Sequence, residues 1–288
     1  MTAPLLRVSD LSVSAGAQKV LRGVSFDLMP GEVHGLVGES GAGKSTIVKL
    51  VLGILPRTMK MSSGRVEFEG SDVFALPPAE FRALLGTEIT LIPQDPLTAL
   101  NPGRRIDAQL TDGFRLKRDM SQKEANERGL AMLEEVHIRD PRRVMHCYPH
   151  QLSGGMRQRV LIASAFALDP KLVIADEPTT ALDVTVQKQI LRLIRGLQKR
   201  HKTAVVFVTH NLGVVAQICD SLTVMYMGKA MEQGPAERLL SAPAHPYTAA
   251  LIAANPRYDR PDMGLEPIPP QLIEALRSEI ASSDRAHG

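Results

Sequence analysis

Gly38-Glu39-Ser40-Gly41-Ala42-Gly43-Lys44-Ser45-Thr46 decides how this chain is read. The stretch has the form GxxxxGK[ST]. A short apolar run, Val33 to Val37, precedes it and a helical pattern, Lys44 to Leu55, follows. Glycines let backbone N–H groups turn inward around phosphate oxygens. A helix that starts at Lys44 presents its positive end to the same anion. Lys44 can reach β and γ phosphates, and the Ser45 hydroxyl can ligate Mg²⁺. Gly38, Ser40, Gly41, Gly43, Lys44, Ser45 and Thr46 are therefore the expected nucleotide-binding residues. The alternative is a glycine-rich strand-to-helix turn with no ligand, and the flanking patterns argue against it.

Outward from this loop, short apolar runs alternate with helical patterns. Ile89 to Pro93, Leu172 to Ala175 and Ala204 to Thr209 join Val33 to Val37 as runs that suit strands buried on both faces of a mainly parallel sheet. Leu6 to Val13 and Gly64 to Glu69 read as half-buried strands, with Val66 and Phe68 on one face. Val184 to Leu197 is helical in its spacing. This alternation is the α/β class. The stretch from about Asp95 to Gln158 lacks strand-like runs and reads as a helical subdomain inserted in the α/β core. Within it, Ser121 followed by Glu124 fits a capping box opening a helix to about Val136. Ser221 to Gln233 reads as a hairpin turning at Met227-Gly228-Lys229. After Asn255, Pro256, Pro261, Pro267, Pro269 and Pro270 read as an extended linker. Gln271 to Ala281 follows as a short amphipathic helix, and the last residues as frayed. The expected domains are thus residues 1–254 and a C-terminal extension, 255–288.

Composition narrows the function. A chain of 288 residues suits one large domain or a core with a subdomain. The 34 basic and 31 acidic residues give +3, too little to argue for nucleic acid or an anionic membrane as a direct partner. Two cysteines, Cys147 and Cys219, offer neither a disulfide framework nor a CxxC zinc site. The apolar stretch Val160 to Leu168 falls well short of the ~18 residues that a spanning helix needs. Met1 to Asp10 has no long apolar segment of the signal-peptide kind. The expectation is a protein of a reducing compartment, with any membrane spans supplied by other chains.

Leu172-Val-Ile-Ala-Asp176-Glu177 is an apolar run ending in two carboxylates. Unpaired buried carboxylates are costly. A Mg²⁺ ion near Asp176 and a water held by Glu177 would give the pair a purpose. The alternative is an exposed strand end. His210 follows the run Ala204 to Thr209, and ligands of parallel sheets lie beyond the carboxyl ends of the strands.

Leu152-Ser-Gly-Gly-Met-Arg-Gln-Arg159 resembles the signature sequence of the ATP-binding cassette (ABC) ATPases. Gln94 in Ile92-Pro-Gln-Asp-Pro96 looks like that family's Q-loop glutamine, Ala181-Leu-Asp183 like its D-loop, and His210 like its switch histidine. In the family's order these motifs span Gly38 to His210. The resemblance implies a P-loop NTPase (RecA-like) core with an antiparallel edge sheet, a helical subdomain, and ATP and Mg²⁺ as ligands. It implies a dimer with composite sites, in which Lys44, Ser45, Gln94, Asp176, Glu177 and His210 of one protomer face Ser153, Gly154 and Gly155 of the other. Ser45, Gln94 and Asp176 would hold the metal, and Asp183 would belong to the nucleotide site. Glu177 would be the general base, oriented by His210, with Gln94 and Lys44 completing the catalytic set. The family's usual adenine-stacking aromatic is missing, because its place is taken by Ala15.

Asp95-Pro-Leu-Thr-Ala-Leu-Asn101-Pro102 and His245-Pro-Tyr-Thr248 resemble the dipeptide, oligopeptide and nickel importers. The tail beyond Cys219 lacks the cysteine cluster that many such proteins carry. The resemblance implies an ATPase motor for di- or oligopeptide import at the cytoplasmic face of the inner membrane. Its implied partners are two integral-membrane permease subunits, a second ATPase subunit (a paralogue or a second copy) and, indirectly, an extracytoplasmic solute-binding protein. No nucleic-acid partner is expected. Arg104 and Arg105 either touch the membrane partner or form a solvated basic face. The competing readings are a soluble ABC-type ATPase of a phosphonate-degradation assembly, or a repair or translation mechano-ATPase.

Overall fold

The computed structural model describes residues 3–180, 182–255 and 267–286. Contacts divide the chain into two units. One takes the residues up to Leu28, Val33–Val73 and those from Val208 onward, and the other Met29–Glu32 and Phe74–Phe207.

The first unit opens with β1 (Leu6–Ala15), β2 (Gln18–Leu28), β3 (Val33–Gly38), α1 (Lys44–Val51), β4 (Met59–Phe68) and β5 (Ser71–Asp72). Leu6, Val8, Leu11 and Val13 of β1 are buried. They pair antiparallel with β2 (Leu6↔Leu28, Val8↔Phe26, Val13↔Leu21) and with β4 (Leu6↔Phe68, Val8↔Val66). The result is an antiparallel sheet in the order β2-β1-β4-β5. Strand β4 starts earlier than its apolar pattern implies. Its first residues are held by backbone pairing, Ala15↔Met59 through Ser12↔Ser63, and carry no buried face. Helix α1 stops at Val51 rather than Leu55. Gly53, at φ 65, donates to the Leu50 carbonyl at 2.9 Å and turns the chain off the helix.

The second unit holds α2 (Pro78–Leu84), β6 (Ile89–Ile92), α3 (Pro96–Ala99), α4 (Ile106–Arg118), α5 (Gln122–Glu135), α6 (Pro141–Met145), α7 (Gly154–Phe166), β7 (Leu172–Asp176) and α8 (Val184–His201), and the chain leaves it along β8 (Ala204–Thr209). Strands β6 and β7 pair in parallel, Ile89↔Leu172 to Ile92↔Ala175. Helix α5 opens with the expected capping box: the Glu124 N–H donates to Ser121 Oγ at 3.3 Å, and the Ser121 N–H donates to Glu124 Oε2 at 2.9 Å. Among the described residues, 95–158 contains helices and no strand. Helix α8 runs past Leu197 to His201. Lys199, Arg200 and His201 suit the negative end of its dipole, and Lys202 at φ 55 ends it.

The first unit resumes with α9 (Leu212–Ile218), β9 (Ser221–Tyr226), β10 (Lys229–Pro235), α10 (Ala236–Ser241), α11 (Pro246–Ala253) and α12 (Pro270–Ala286). Strand β9 pairs in parallel with β3, from His34↔Ser221 to Gly38↔Met225, and antiparallel with β10. Met227 (φ 45) and Gly228 (φ 78) form the two-residue turn, with the paired positive φ values that match a hairpin's twist. His34 is buried, stacks on Phe26 at 4.9 Å, and shares hydrogen bonds with Ser221 Oγ (2.7 Å) and Thr223 Oγ1 (2.9 Å). Burial keeps its ring neutral, with the pKa pushed down to about 4. Leu276 and Ile280 of α12 enter the core built by Val224, Tyr226, Leu239, Tyr247 and Leu251, each adding roughly 1.5–3 kcal/mol of burial. Across 282–286 the expected fraying gives way to helix, and residues 287–288 lie outside the described residues. Asp284 binds Arg22 (Nη2–Oδ2 2.8 Å) and Lys19 (3.7 Å), and α12 continues to Ala286. Pro256 and Pro261 of the expected linker lie outside the described residues. Among the described residues, no helix is long and apolar enough to cross a membrane.

Candidate functional site

In the first unit, β3 delivers the chain to the phosphate loop and α1 receives it. Gly43 is the N-cap of α1 at φ 98. No side chain caps this helix and no acidic residue occupies its first turn, so its positive end is set for an anion. The glycines are required sterically. A Cβ at Gly38 would lie 2.2 Å from the Met225 carbonyl oxygen, and one at Gly43 would lie 2.6 Å from Leu21 Cδ2. Gly41, at φ 81, has nothing within 4 Å of such an atom, so its side of the loop is open. Lys44 is buried, and its ammonium donates to the carbonyls of Gly38 (2.7 Å) and Glu39 (2.9 Å). The amine therefore rests on the rim of the loop. Ser40 is exposed and Ser45 and Thr46 open α1. His210 is exposed and follows β8, next to Asn211, which caps α9 through the N–H groups of Gly213 and Val214.

In the second unit, the structure joins two of the predicted residues directly. Gln94 Nε2 donates to Glu177 Oε2 at 3.3 Å. Thr180, which sequence reasoning passed over, donates to the same oxygen at 2.9 Å. The signal for it was the i, i+3 spacing after a strand end. Glu177 sits at φ 47, a region that costs a non-glycine residue free energy, and the following Pro178 adds a preference for extended backbone there. Asp176, half-buried, ends β7 beside it.

The signature stretch forms the N-terminus of α7. Ser153 is its exposed N-cap and accepts from the Met156 N–H at 3.3 Å, while no acidic residue occupies the first turn. Gly154 has nothing within 4 Å of an added Cβ, whereas Gly155 has Val186 Cγ1 at 3.3 Å. The backbone at Gly154 thus lies open to a ligand. Asp183 Oδ1 accepts from the N–H groups of Thr185 (3.0 Å) and Val186 (2.9 Å), so this carboxylate caps α8. Ala181 lies outside the described residues. Arg104 and Arg105 are bound to Asp112 and Asp107 on the exposed side of α4. Ala15, where an aromatic ring was missed, has Gln18 and Met59 as its cross-strand neighbours. Neither Cys147 nor Cys219 forms a disulfide among the described residues.

The sequence profile described as ABC transporter matches residues 21–180, and that of the oligopeptide/dipeptide transporter C-terminal region matches 231–280. A dipeptide transport ATP-binding protein of Bacillus subtilis is 45% identical over 277 residues, 93% of this chain and 83% of its own. A peptidoglycan transport ATP-binding protein of Agrobacterium fabrum is 48% identical over 265 residues, 90% of this chain; the chain spans about half of that relative, 48%. Among solved structures, CbiO1 of Clostridium perfringens, part of an ABC transporter complex, superposes with a TM-score of 0.71 at 27% identity, covering 83% of this chain and 91% of its own. A dimeric ATP-binding cassette bound to ADP and phosphate superposes with a TM-score of 0.70 at 25% identity, covering 80% and 98%.

Proposed function

We propose that this chain, which belongs to the ABC transporter family, is the ATP-hydrolysing motor subunit of an importer of di- or oligopeptides. One observation carries the reading: a phosphate loop at 38–46 and a C-terminal stretch, 231–280, similar to peptide transporters lie on the same chain.

The chemistry is phosphoryl transfer from ATP to water. The N–H groups of the loop and the start of α1 bind the phosphates, and Lys44 leaves the Gly38 and Glu39 carbonyls for the β and γ oxygens. Glu177, steered by Gln94 and Thr180, takes a proton from the attacking water. The new O–P bond forms as the bond to the β–γ bridging oxygen breaks, and ADP leaves with the electron pair. His210 orients Glu177 and donates to the γ-phosphate. The Ser45 hydroxyl, the Gln94 amide oxygen and the Asp176 carboxylate are hard oxygen donors of the kind that Mg²⁺ takes, and the ion neutralises phosphate charge when bound. The open N-terminus of α7, with Ser153, Gly154 and Gly155, serves the γ-phosphate held by a second ATPase subunit, and Asp183 supports that pairing by fixing α8. Met59 is the apolar side chain next to Ala15 that replaces a ring for the base, at a cost of about 1–3 kcal/mol of stacking.

Two membrane-embedded permease subunits bind the segment from Gln94 to Arg105, where Leu97 is 63% exposed. The chain then works at the cytoplasmic face of the inner membrane, with the solute-binding protein reached through the permeases. Affinity capture from gently solubilised membranes of the source cell, followed by mass spectrometry, tests this. Recovery of two multi-spanning proteins and a second ATPase is expected. Recovery of ribosomes, nucleic-acid enzymes or a soluble metabolic complex would overturn the transport reading and leave the ATP chemistry standing.

A further inference from the structure

The motif His245-Pro246-Tyr247-Thr248 has no part in the chemistry above, yet it is tightly built. His245 caps α11 by accepting from the Tyr247 N–H at 3.1 Å. Glu232 of β10 accepts from the N–H groups of Ala244 (3.0 Å) and His245 (3.1 Å). These bonds press one side chain, Tyr247, into the core of the first unit, where it has no exposure at all. Its ring lies on Tyr226 with centroids 4.8 Å apart. Tyr226 directly follows Met225, the residue in register with Gly38 at the start of the phosphate loop.

The phenol therefore reaches the loop from below. Its oxygen is shut off from water and has no hydrogen bond of ordinary length among the described residues. The backbone N–H and the carboxylate of Glu39 face it. Burial first, and then that carboxylate, push the phenol's pKa up, so it stays protonated. A buried polar atom costs free energy until it finds a partner, and the backbone N–H of Glu39 is the donor on hand. Glu39 is thus approached from two sides, its carbonyl by the Lys44 ammonium (2.9 Å) and its N–H by the phenol.

We propose that Tyr247 is a positioning residue for the phosphate loop: its phenol captures the Glu39 backbone as Lys44 moves from the Gly38 and Glu39 carbonyls to a phosphate. A contact that is better made in the ATP-bound arrangement of the loop than in the other favours binding by that difference. The motif in α11 then acts as a buttress through which the C-terminal helices set ATP affinity. This rests on the ATPase reading above.

The test uses the purified full chain, with ATP affinity, turnover and the thermal midpoint without nucleotide measured for each variant. Tyr247→Phe removes one oxygen and keeps the ring packing. It is expected to weaken ATP binding and raise KM about fivefold, the scale of one hydrogen bond, with kcat and the thermal midpoint near wild type. His245→Ala, which loses the cap that accepts from the Tyr247 N–H, is expected to lower the midpoint and leave ATP affinity in place. The inference is overturned if Tyr247→Phe binds ATP as wild type does, or if both variants lose affinity in proportion to stability. Wild-type protein that binds no ATP would overturn the ATPase reading itself.

Discussion

Two strand ends of this molecule solve the same problem in opposite ways. At the end of β3, the chain must turn so that its backbone meets an anion. There the proposed chemistry is in the N–H groups, and glycine fills every position where a Cβ would collide or a positive φ is needed, with Gly41 at 81 and Gly43 at 98. At the end of β7, the proposed chemistry is in a side chain. Glu177 also takes a positive φ, 47, and glycine is not an option for the proposed reaction, in which the carboxylate is the working part. Thr180 and Gln94 hold that carboxylate, and the backbone carries strain on the order of 1 kcal/mol. The lesson is general: where the backbone acts, sequence records it as glycine, and where a side chain acts, strain is tolerated and sequence hides it.

The sharpest way to break this comparison is Gly38→Ala. The new Cβ would meet backbone, 2.2 Å from the Met225 carbonyl oxygen and 3.1 Å from its carbon, so β3 and β9 must move apart. A loss of about 3 kcal/mol or more is expected, read as a lower urea midpoint. A midpoint at the wild-type value would mean that the loop does not need its glycines.

The two strands also differ in what they bury. Strand β3 carries His34, neutral in the fold with its pKa down at about 4 against 6.5 in the open chain. Unfolded chains take up a proton below pH 6.5 and the folded protein does not, so stability is full above that value and falls toward pH 4. About 2 kcal/mol should be lost between pH 7 and pH 5 through this group alone. The run Leu172 to Ala175 of β7 has no such residue. Urea titrations at both pH values check this, and His34→Gln should flatten the difference.

Glu177→Gly sharpens the comparison from the other side. Relief of the positive φ should leave Glu177→Gly about 1 kcal/mol more stable than Glu177→Ala, which loses the same hydrogen bonds and keeps the φ, while hydrolysis disappears in both. A thermal midpoint of Glu177→Gly below that of Glu177→Ala would contradict the strain argument. The smallest effect belongs to Gly41→Ala, where the added atom meets open space and only φ 81 is penalised. A cost of about 1 kcal/mol or less is expected by urea titration, well under that of Gly38→Ala.

Sequence and structure agree where pattern and physics coincide. The strand–loop–helix at Gly38–Thr46 and the capping box at Ser121 and Glu124 were legible because a few residue types permit them. Residues held without an apolar pattern were not legible: Met59–Ser63 lengthen β4 through backbone pairing, and the ends of α8 and α12 lie beyond their last apolar positions, with ion pairs on Arg200, His201 and Asp284. In the candidate site, Gln94 and Glu177 could be named from motifs. Their contact could not, nor could the grip of Thr180, since both depend on a turn at Glu177 whose φ no residue type announces. Tyr247 was visible as part of a motif, and only tertiary packing brings it beneath Glu39.

The central claim is that Glu177 supplies proton transfer rather than nucleotide affinity. The direct test measures bound ATP and phosphate release in one preparation of Glu177→Gln. The substitution keeps size, φ and a hydrogen-bonding head, and removes the basic oxygen. ATP binding should stay within about twofold of wild type while turnover falls by about 10²-fold or more. Turnover equal to wild type, or loss of binding in step with turnover, would contradict the account.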